Sequence, residues 1–370
     1  MRDNIKKLYG LIESKNLNAI IISSPDSIEY FLGVESIGDA RLVFYADKSG
    51  SMELYVPVLE YYRYKDQLEQ RGIVVYGVSR RIKPRGMKLV ELEWENIITK
   101  LIERHSERIG VDKKHSPLLE KILIEKRLDS KVVDVSDSIT ELRTIKDDWE
   151  IESIQKAIEI TGRGIYEMVN SLSENITETE LAGVFEYTVR KEGVTSYAFP
   201  PLVLFKPGNS YPHNYPSSTR LGRDNIVLMD VGVRVNNRCS DITRVAIWGS
   251  ISEEEKKVLE VVLEALDNAI DTVEPGIKAG DIDKSARSII ERNGYGDYFI
   301  HGLGHGIGVV VHESPYIRAQ ADTVIKPNMV FTIEPGIYIP GKYGIRIEEN
   351  VLVTKKGAKV LSERIDRVFF

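Results

Sequence analysis

Apolar positions in the first part of the chain switch between two periods. Ile5–Lys15 repeats them at helical spacing, and Ala19–Ser23 is a short continuous apolar run that predicts a buried strand. Arg41–Ala46 and Met52–Val56 alternate as the arms of a hairpin around Asp47-Lys48-Ser49-Gly50. Helical spacing returns over Lys88–Arg104, and Val132–Val135 predicts one more strand. These elements predict a smaller α/β domain over residues 1–140. The charged run Arg143-Thr144-Ile145-Lys146-Asp147-Asp148 then precedes a long helical pattern from Glu150 to Leu172 and opens a second domain, residues 141–370.

The second domain repeats itself. Ile176-Thr177-Glu178-Thr179-Glu180-Leu181 leads to Lys191-Glu192-Gly193, and 101 residues later Ile277-Lys278-Ala279-Gly280-Asp281-Ile282 leads to Arg292-Asn293-Gly294. In each half the pattern predicts a helix that starts at a polar cap and stops at a glycine able to take positive φ. Thr177…Glu180 and Ser252…Glu255 have capping-box spacing. Strand-like sequence follows each glycine. The predicted class is therefore α+β: two halves of helix, helix and hairpins related by a pseudo-two-fold repeat, with any shared site between them.

Composition narrows the partners. The 370 residues are 42% hydrophobic and 29% charged, with a net charge of −6, and no long Lys/Arg run gives a nucleic-acid footprint. No stretch approaches the roughly 20 apolar residues of a membrane helix. Cys239 is the only cysteine, which fits a reducing compartment, and the amphipathic start predicts a cytoplasmic protein.

The chemistry concentrates in the second domain. Four of the six histidines fall between His213 and His312. Asp230 and Asp241 sit on the predicted strands Ile226–Val231 and Ile242–Trp248, joined by the turn-rich Arg234-Val235-Asn236-Asn237. Their odd separation places both carboxylates on one face of a hairpin closed by an even loop. Asp230 interrupts an apolar run, where an unpaired carboxylate costs several kcal/mol on burial; a metal offsets that cost. Asn328–Glu334 alternates as a strand that ends at a turn, Pro335-Gly336. Ile345–Val353 alternates too, with Arg346, Glu348 and Asn350 on one face. Between these groups lies His301-Gly302-Leu303-Gly304-His305-Gly306-Ile307-Gly308, whose glycines let the backbone approach a ligand closely. Four carboxylates and an imidazole make an oxygen-rich site for two divalent ions, Mn²⁺, Co²⁺ or Zn²⁺. Each signal alone is weak, since single acidic residues are usually surface charges and single histidines usually packing groups. His105 and His115 are read that way. No phosphate-loop or dinucleotide motif competes.

Met229-Asp230-Val231-Gly232, Ser240-Asp241-Ile242-Thr243-Arg244, Gly304-His305-Gly306-Ile307-Gly308, Thr332-Ile333-Glu334-Pro335-Gly336 and Arg346-Ile347-Glu348 resemble, in order, the metal-ligand motifs of the pita-bread metallopeptidases. The resemblance covers about Asp147–Val368 and implies that fold for the second domain. It implies that Asp241 and Glu348 bridge two metals, with Asp230 completing one and His305 with Glu334 the other. Pro212-His213 and His312-Glu313-Ser314-Pro315 are similar to the family's two substrate histidines. The preceding α/β domain points to prolidase or Xaa-Pro aminopeptidase. Phe199-Pro200-Pro201 and Leu204-Phe205-Lys206-Pro207-Gly208 depart from the small-residue pattern common there, and Glu349 stands where Asp is frequent.

What the resemblance implies is a homodimeric enzyme hydrolysing peptides with proline in second position. His213, His312 and Glu334 would be catalytic, and His301, Arg318 and Arg346 would contact substrate. Dipeptide cleavage is the leading reading. An Xaa-Pro aminopeptidase acting on longer peptides is the alternative, and a non-catalytic peptide-binding module is a third that metal binding would test.

Overall fold

The computed structural model describes residues 3–35, 42–104 and 108–370, and the chain divides into two compact units, Met1–Arg143 and Thr144–Phe370. Arg41 and His105 lie outside the described residues. No described helix is long and apolar enough to cross a membrane.

The first unit is built on a seven-stranded mixed sheet in the order 89–90, 74–78, 52–57, 43–47, 19–22, 109–111, 132–134. Ala19–Ile22 is fully buried at 0% exposure, which explains its unbroken apolar run: neighbours on both edges and both faces leave no side for polar residues. The hairpin Val43–Asp47 and Met52–Pro57 turns where Asp47 Oδ1 accepts the amides of Ser49 (2.9 Å) and Ser51 (3.1 Å). Two expectations shift. Lys88–Arg104 is not one helix: Leu89–Val90 pairs with the sheet, and the helix begins at Trp94. Pro25–Leu32 is a further helix, capped by Ser24 with Pro at its first position. His115 bonds Asp112 (2.8 Å) and Thr140 (3.3 Å), a packing arrangement.

The second unit carries the repeat into three dimensions. Helices Glu178–Lys191 and Ala279–Arg292 begin and end 101 residues apart, and Gly193 (φ 86°) and Gly294 (φ 84°) follow them in the left-handed region. Each packs on a preceding helix, Asp148–Asn170 or Glu253–Thr272, and both of those start with a capping box. Three antiparallel strands follow in each half, in the same order: 202–205, 225–231, 242–248 and 304–306, 330–333, 349–354. The equivalence reaches single residues. Asp230 pairs with Leu202, and Glu334 donates its amide to the carbonyl of Leu303, which is 101 residues beyond Leu202.

Three details differ from the expected pattern. Lys278 gives no side-chain cap; instead the amides of Ala279 and Gly280 donate to the carbonyls of Thr323 and Ala321, both at 2.9 Å. Ile345–Val353 is not one strand. Tyr343–Arg346 pairs with Gly336–Ile339, whereas Glu349–Thr354 pairs with Val330–Ile333, so the chain changes sheets at Ile347-Glu348. Pro335-Gly336 is correspondingly no hairpin turn but the matching break on the partner strand, where proline has no amide to continue a ladder.

Candidate metal centre and cleft

A cavity of about 520 Å³ opens in the second unit. Asp230, Asp241, His305, Glu334, Glu348, His213, His312, His301, Arg318 and Arg346 all line it, with Phe199, Tyr215, Tyr316 and Tyr338 among the walls. One hairpin brings the aspartates to the same face. Asp230 stands opposite Thr243, and Asp241 lies two residues before Thr243, hence on the same side. Glu334 and Glu348 sit at the paired strand breaks of the other half, facing each other one step beyond the Ile333–Glu349 pair.

Three overlapping groups place their donor atoms within 4.8 Å of one another: Asp230, Asp241 and Glu348; His305, Glu334 and Glu348; and Asp241, His305 and His312. His305 Nε2 is 3.2 Å from Glu334 Oε1 and 3.5 Å from Asp241 Oδ2. Oδ1 of Asp230 and Oε1 of Glu348 are buried with no hydrogen-bond partner. A buried carboxylate oxygen left in that state is costly unless a cation faces it. Electrostatics point the same way. Burial, then the charges of Glu348, Asp230 and Glu334, push Asp241 well above the usual carboxylate range. Burial, then Glu334 and Asp230, do the same to Glu348. Asp230 is raised by burial, with Arg346 opposing. For Glu334 burial acts upward, but the hydrogen bond and charge of His305 outweigh it and hold it down to about 2. Protein groups alone leave this cluster of negative charge under-compensated, so hard divalent cations fit the donor set.

A polar chain supports the cluster from behind. Arg346 donates to Asp230 through Nη2, to the Tyr338 hydroxyl through Nη1 (2.8 Å) and to the Thr243 hydroxyl through Nε (3.1 Å). Tyr338 lies 3.0 Å from His301 Nε2, and His301 Nδ1 donates to the carbonyl of Gly302 at 2.8 Å. Arg346 and His301 are thus both engaged by the protein. Arg318 is exposed at the cleft with its guanidinium over the Tyr316 ring, 5.7 Å from the centroid. His213 and His312 are exposed at the cleft too, and His312 packs edge-on against His305, ring centres 4.3 Å apart.

Comparison with known proteins identifies the lineage. Residues 152–355 match the model of metallopeptidase family M24, and residues 4–145 match the creatinase/prolidase N-terminal domain. The chain belongs to metallopeptidase family M24. The chain is 33% identical to the Xaa-Pro dipeptidase of Pyrococcus furiosus over 98% of both chains. The M24 fold is equally evident in solved structures. The prolidase from Pyrococcus furiosus has a TM-score of 0.78 at 33% identity, covering 96% of this chain and 98% of that one. The X-Pro aminopeptidase from Thermotoga maritima has a TM-score of 0.85 at 30% identity, covering 99% of each chain.

Within this M24 unit two glycines of the histidine loop also answer a packing requirement. A Cβ on Gly304 would lie 2.0 Å from the carbonyl oxygen of Thr332, and one on Gly306 2.2 Å from that of Ser314. Neighbouring backbone leaves no room for a side chain at these two positions. Sequence reasoning also passed over two groups that shape the M24 site. Thr243 was legible, since it falls two residues after Asp241 on a strand. Tyr338 was not, because it lies on the strand Gly336–Ile339, just past the expected turn at Pro335-Gly336, and carries no motif of its own.

Proposed function

We propose that the protein hydrolyses the peptide bond preceding proline, most readily in dipeptides, with two divalent ions held by Asp230, Asp241, His305, Glu334 and Glu348. The observation carrying this reading is the pair of donor groups, Asp230/Asp241/Glu348 and His305/Glu334/Glu348, that share Glu348. Mn²⁺, Co²⁺ and Zn²⁺ all suit such donors, and selection among them follows availability. Ions so held supply Lewis acidity toward the scissile carbonyl and acidify water at the site.

The remaining steps belong to side chains. Glu334 accepts a proton from the attacking water and delivers it to the proline nitrogen. That nitrogen carries no hydrogen in the peptide, so it must gain one to leave as an amine. His312, with His213 across the cleft, donates to the carbonyl oxygen as negative charge develops there; one such donor is worth about 3–4 kcal/mol. Arg318 offers the cation that a dipeptide's free carboxylate needs, while Arg346 and His301 hold Asp230 and Tyr338 in place. The single buried Cys239 supports a cytoplasmic location. The assembly expected from the family resemblance is a homodimer, which its mass in solution tests.

The likeness to the Thermotoga maritima X-Pro aminopeptidase favours a second reading, cleavage of longer peptides. Metal-free protein reloaded separately with each ion and given Xaa-Pro dipeptides and Xaa-Pro tripeptides decides between them. Turnover confined to dipeptides, lost on Arg318→Ala, supports the first reading. Turnover of tripeptides insensitive to Arg318→Ala supports the second. No hydrolysis by protein carrying its full metal complement overturns both.

A further inference from the structure

The segment carrying His213 has little regular structure: a single turn, Gly208–Ser210, held by buried Asn209, and then a stretch with exposed Tyr211, His213 and Tyr215, the last two lining the cleft. One side chain gathers both of its ends. Glu178, first residue of the helix Glu178–Lys191, is 2% exposed. Its Oε1 accepts the amide of Phe205 at 2.8 Å, and its Oε2 accepts both the amide (2.9 Å) and the hydroxyl (2.7 Å) of Ser217. The backbone reinforces the second attachment, because the amides of Glu178 and Thr179 donate to the carbonyls of Thr219 (3.1 Å) and Ser217 (3.2 Å). Glu178 itself does not line the cleft.

The other half solves the same problem with different residues. On the helix Ala279–Arg292, Asp283 accepts the amide of Leu303 at 3.1 Å and holds Arg287, which donates to the carbonyls of Phe299 (3.1 Å) and His301 (2.9 Å). In both halves a buried acid on the second helix ties down the chain bearing a cleft histidine.

We propose that Glu178 is a positioning residue for His213: by closing the thirteen-residue span from Phe205 to Ser217, its carboxylate sets where the imidazole stands in the cleft. Both loop ends present only donors to it, so the group must be an acceptor on both oxygens. A glutamine would turn its amide hydrogens against one of them, and a displacement of about 1 Å at a reacting centre costs on the order of 100-fold in rate.

The inference rests on His213 acting on substrate, so His213→Ala is made alongside Glu178→Gln and the double variant. Each is assayed on an Xaa-Pro dipeptide, with metal content and melting temperature measured in parallel. His213→Ala should lower kcat/KM by about 100-fold. Glu178→Gln should lower it by about tenfold with metal content unchanged. The double variant should be no slower than His213→Ala alone, since a group acting through His213 has nothing left to position. A further tenfold loss in the double variant, or wild-type kcat/KM in Glu178→Gln, overturns the proposal. A neutral His213→Ala overturns it together with the role of His213, while leaving the metal centre untouched. Should Glu178→Gln fail to fold, the exposed Ser217→Ala removes one donor of the clamp, and the same non-additivity with His213→Ala is required.

Discussion

The hydroxyl of Thr243 donates to Oε2 of Glu348 at 2.9 Å, and its carbonyl accepts the Glu348 amide at 3.2 Å. A strand of one half is thereby joined to the strand break of the other at the carboxylate shared by both donor groups. Thr243→Val keeps the shape and removes the hydroxyl. Glu348 would then lose the bond that orients it, and metal affinity should fall about 10- to 100-fold, as for other outer partners of metal ligands. Titration against a competing chelator measures this; unchanged affinity would show that Thr243 does not orient Glu348.

Asp241→Asn should move stability in opposite directions with and without metal. Glu348, Asp230 and Glu334 crowd Asp241 with like charge, so neutralising it relieves repulsion in the metal-free protein. The same change removes a ligand, so metal loading and hydrolysis should both be lost. In the wild type, metal at 100 times its Kd adds about 2.7 kcal/mol of stability, and that increment should vanish. Melting curves in chelator and in added metal read both effects. A variant that still gains stability from metal would count against Asp241 as a ligand.

Lys146 and Glu313 form an ion pair at 2.5 Å with side chains 1% and 7% exposed, next to His312 in sequence. Lys146→Met removes the charge beside a buried carboxylate and should cost about 3–5 kcal/mol. Adding Glu313→Gln should recover much of that loss. Denaturant unfolding of the single and double variants provides the check, and equal stability of wild type and Lys146→Met would refute it.

Asp47 gives the first unit an acid-sensitive turn. Burial pushes its carboxyl up, but hydrogen bonds from Ser49 and Ser51 outweigh this and hold it below the usual aspartate value. A depressed folded pKa means the stabilisation is complete above the unfolded pKa and is lost as pH falls through the folded one. Asp47→Asn should therefore lower the melting temperature at neutral pH, and its deficit should shrink as pH falls below about 4. A deficit independent of pH would show that the charge is not what the turn uses.

Local patterns carried much of the outcome. The helices Glu178–Lys191 and Ala279–Arg292 were legible because apolar periodicity and a terminal glycine agree, joined in the first by the Thr177 cap. The Asp230–Asp241 face was legible because strand geometry has a period of two. Ile345–Val353 misled because alternation reports which face a residue takes but not which strand it pairs with. The packing requirement at Gly304 and Gly306 was not legible, because it comes from Thr332 and Ser314, which reach them through tertiary pairing.

The sequence by itself determined the repeat, the limits of the two repeated helices, the hairpin that aligns Asp230 with Asp241, and the acidic and histidine side chains that the cleft gathers. These follow from contacts a few residues long or from a single strand pair. Only the tertiary structure decided that Glu348 faces Thr243 and Glu334 at once, that Arg346 and Tyr338 support Asp230 and His301, and that Glu178 holds both ends of the His213 segment. The hydrogen bonds among those relationships join groups 27 to 116 residues apart, and no local pattern encodes them. They exist because two halves pack face to face, and burial then makes each unpaired oxygen or guanidinium find a partner or a cation.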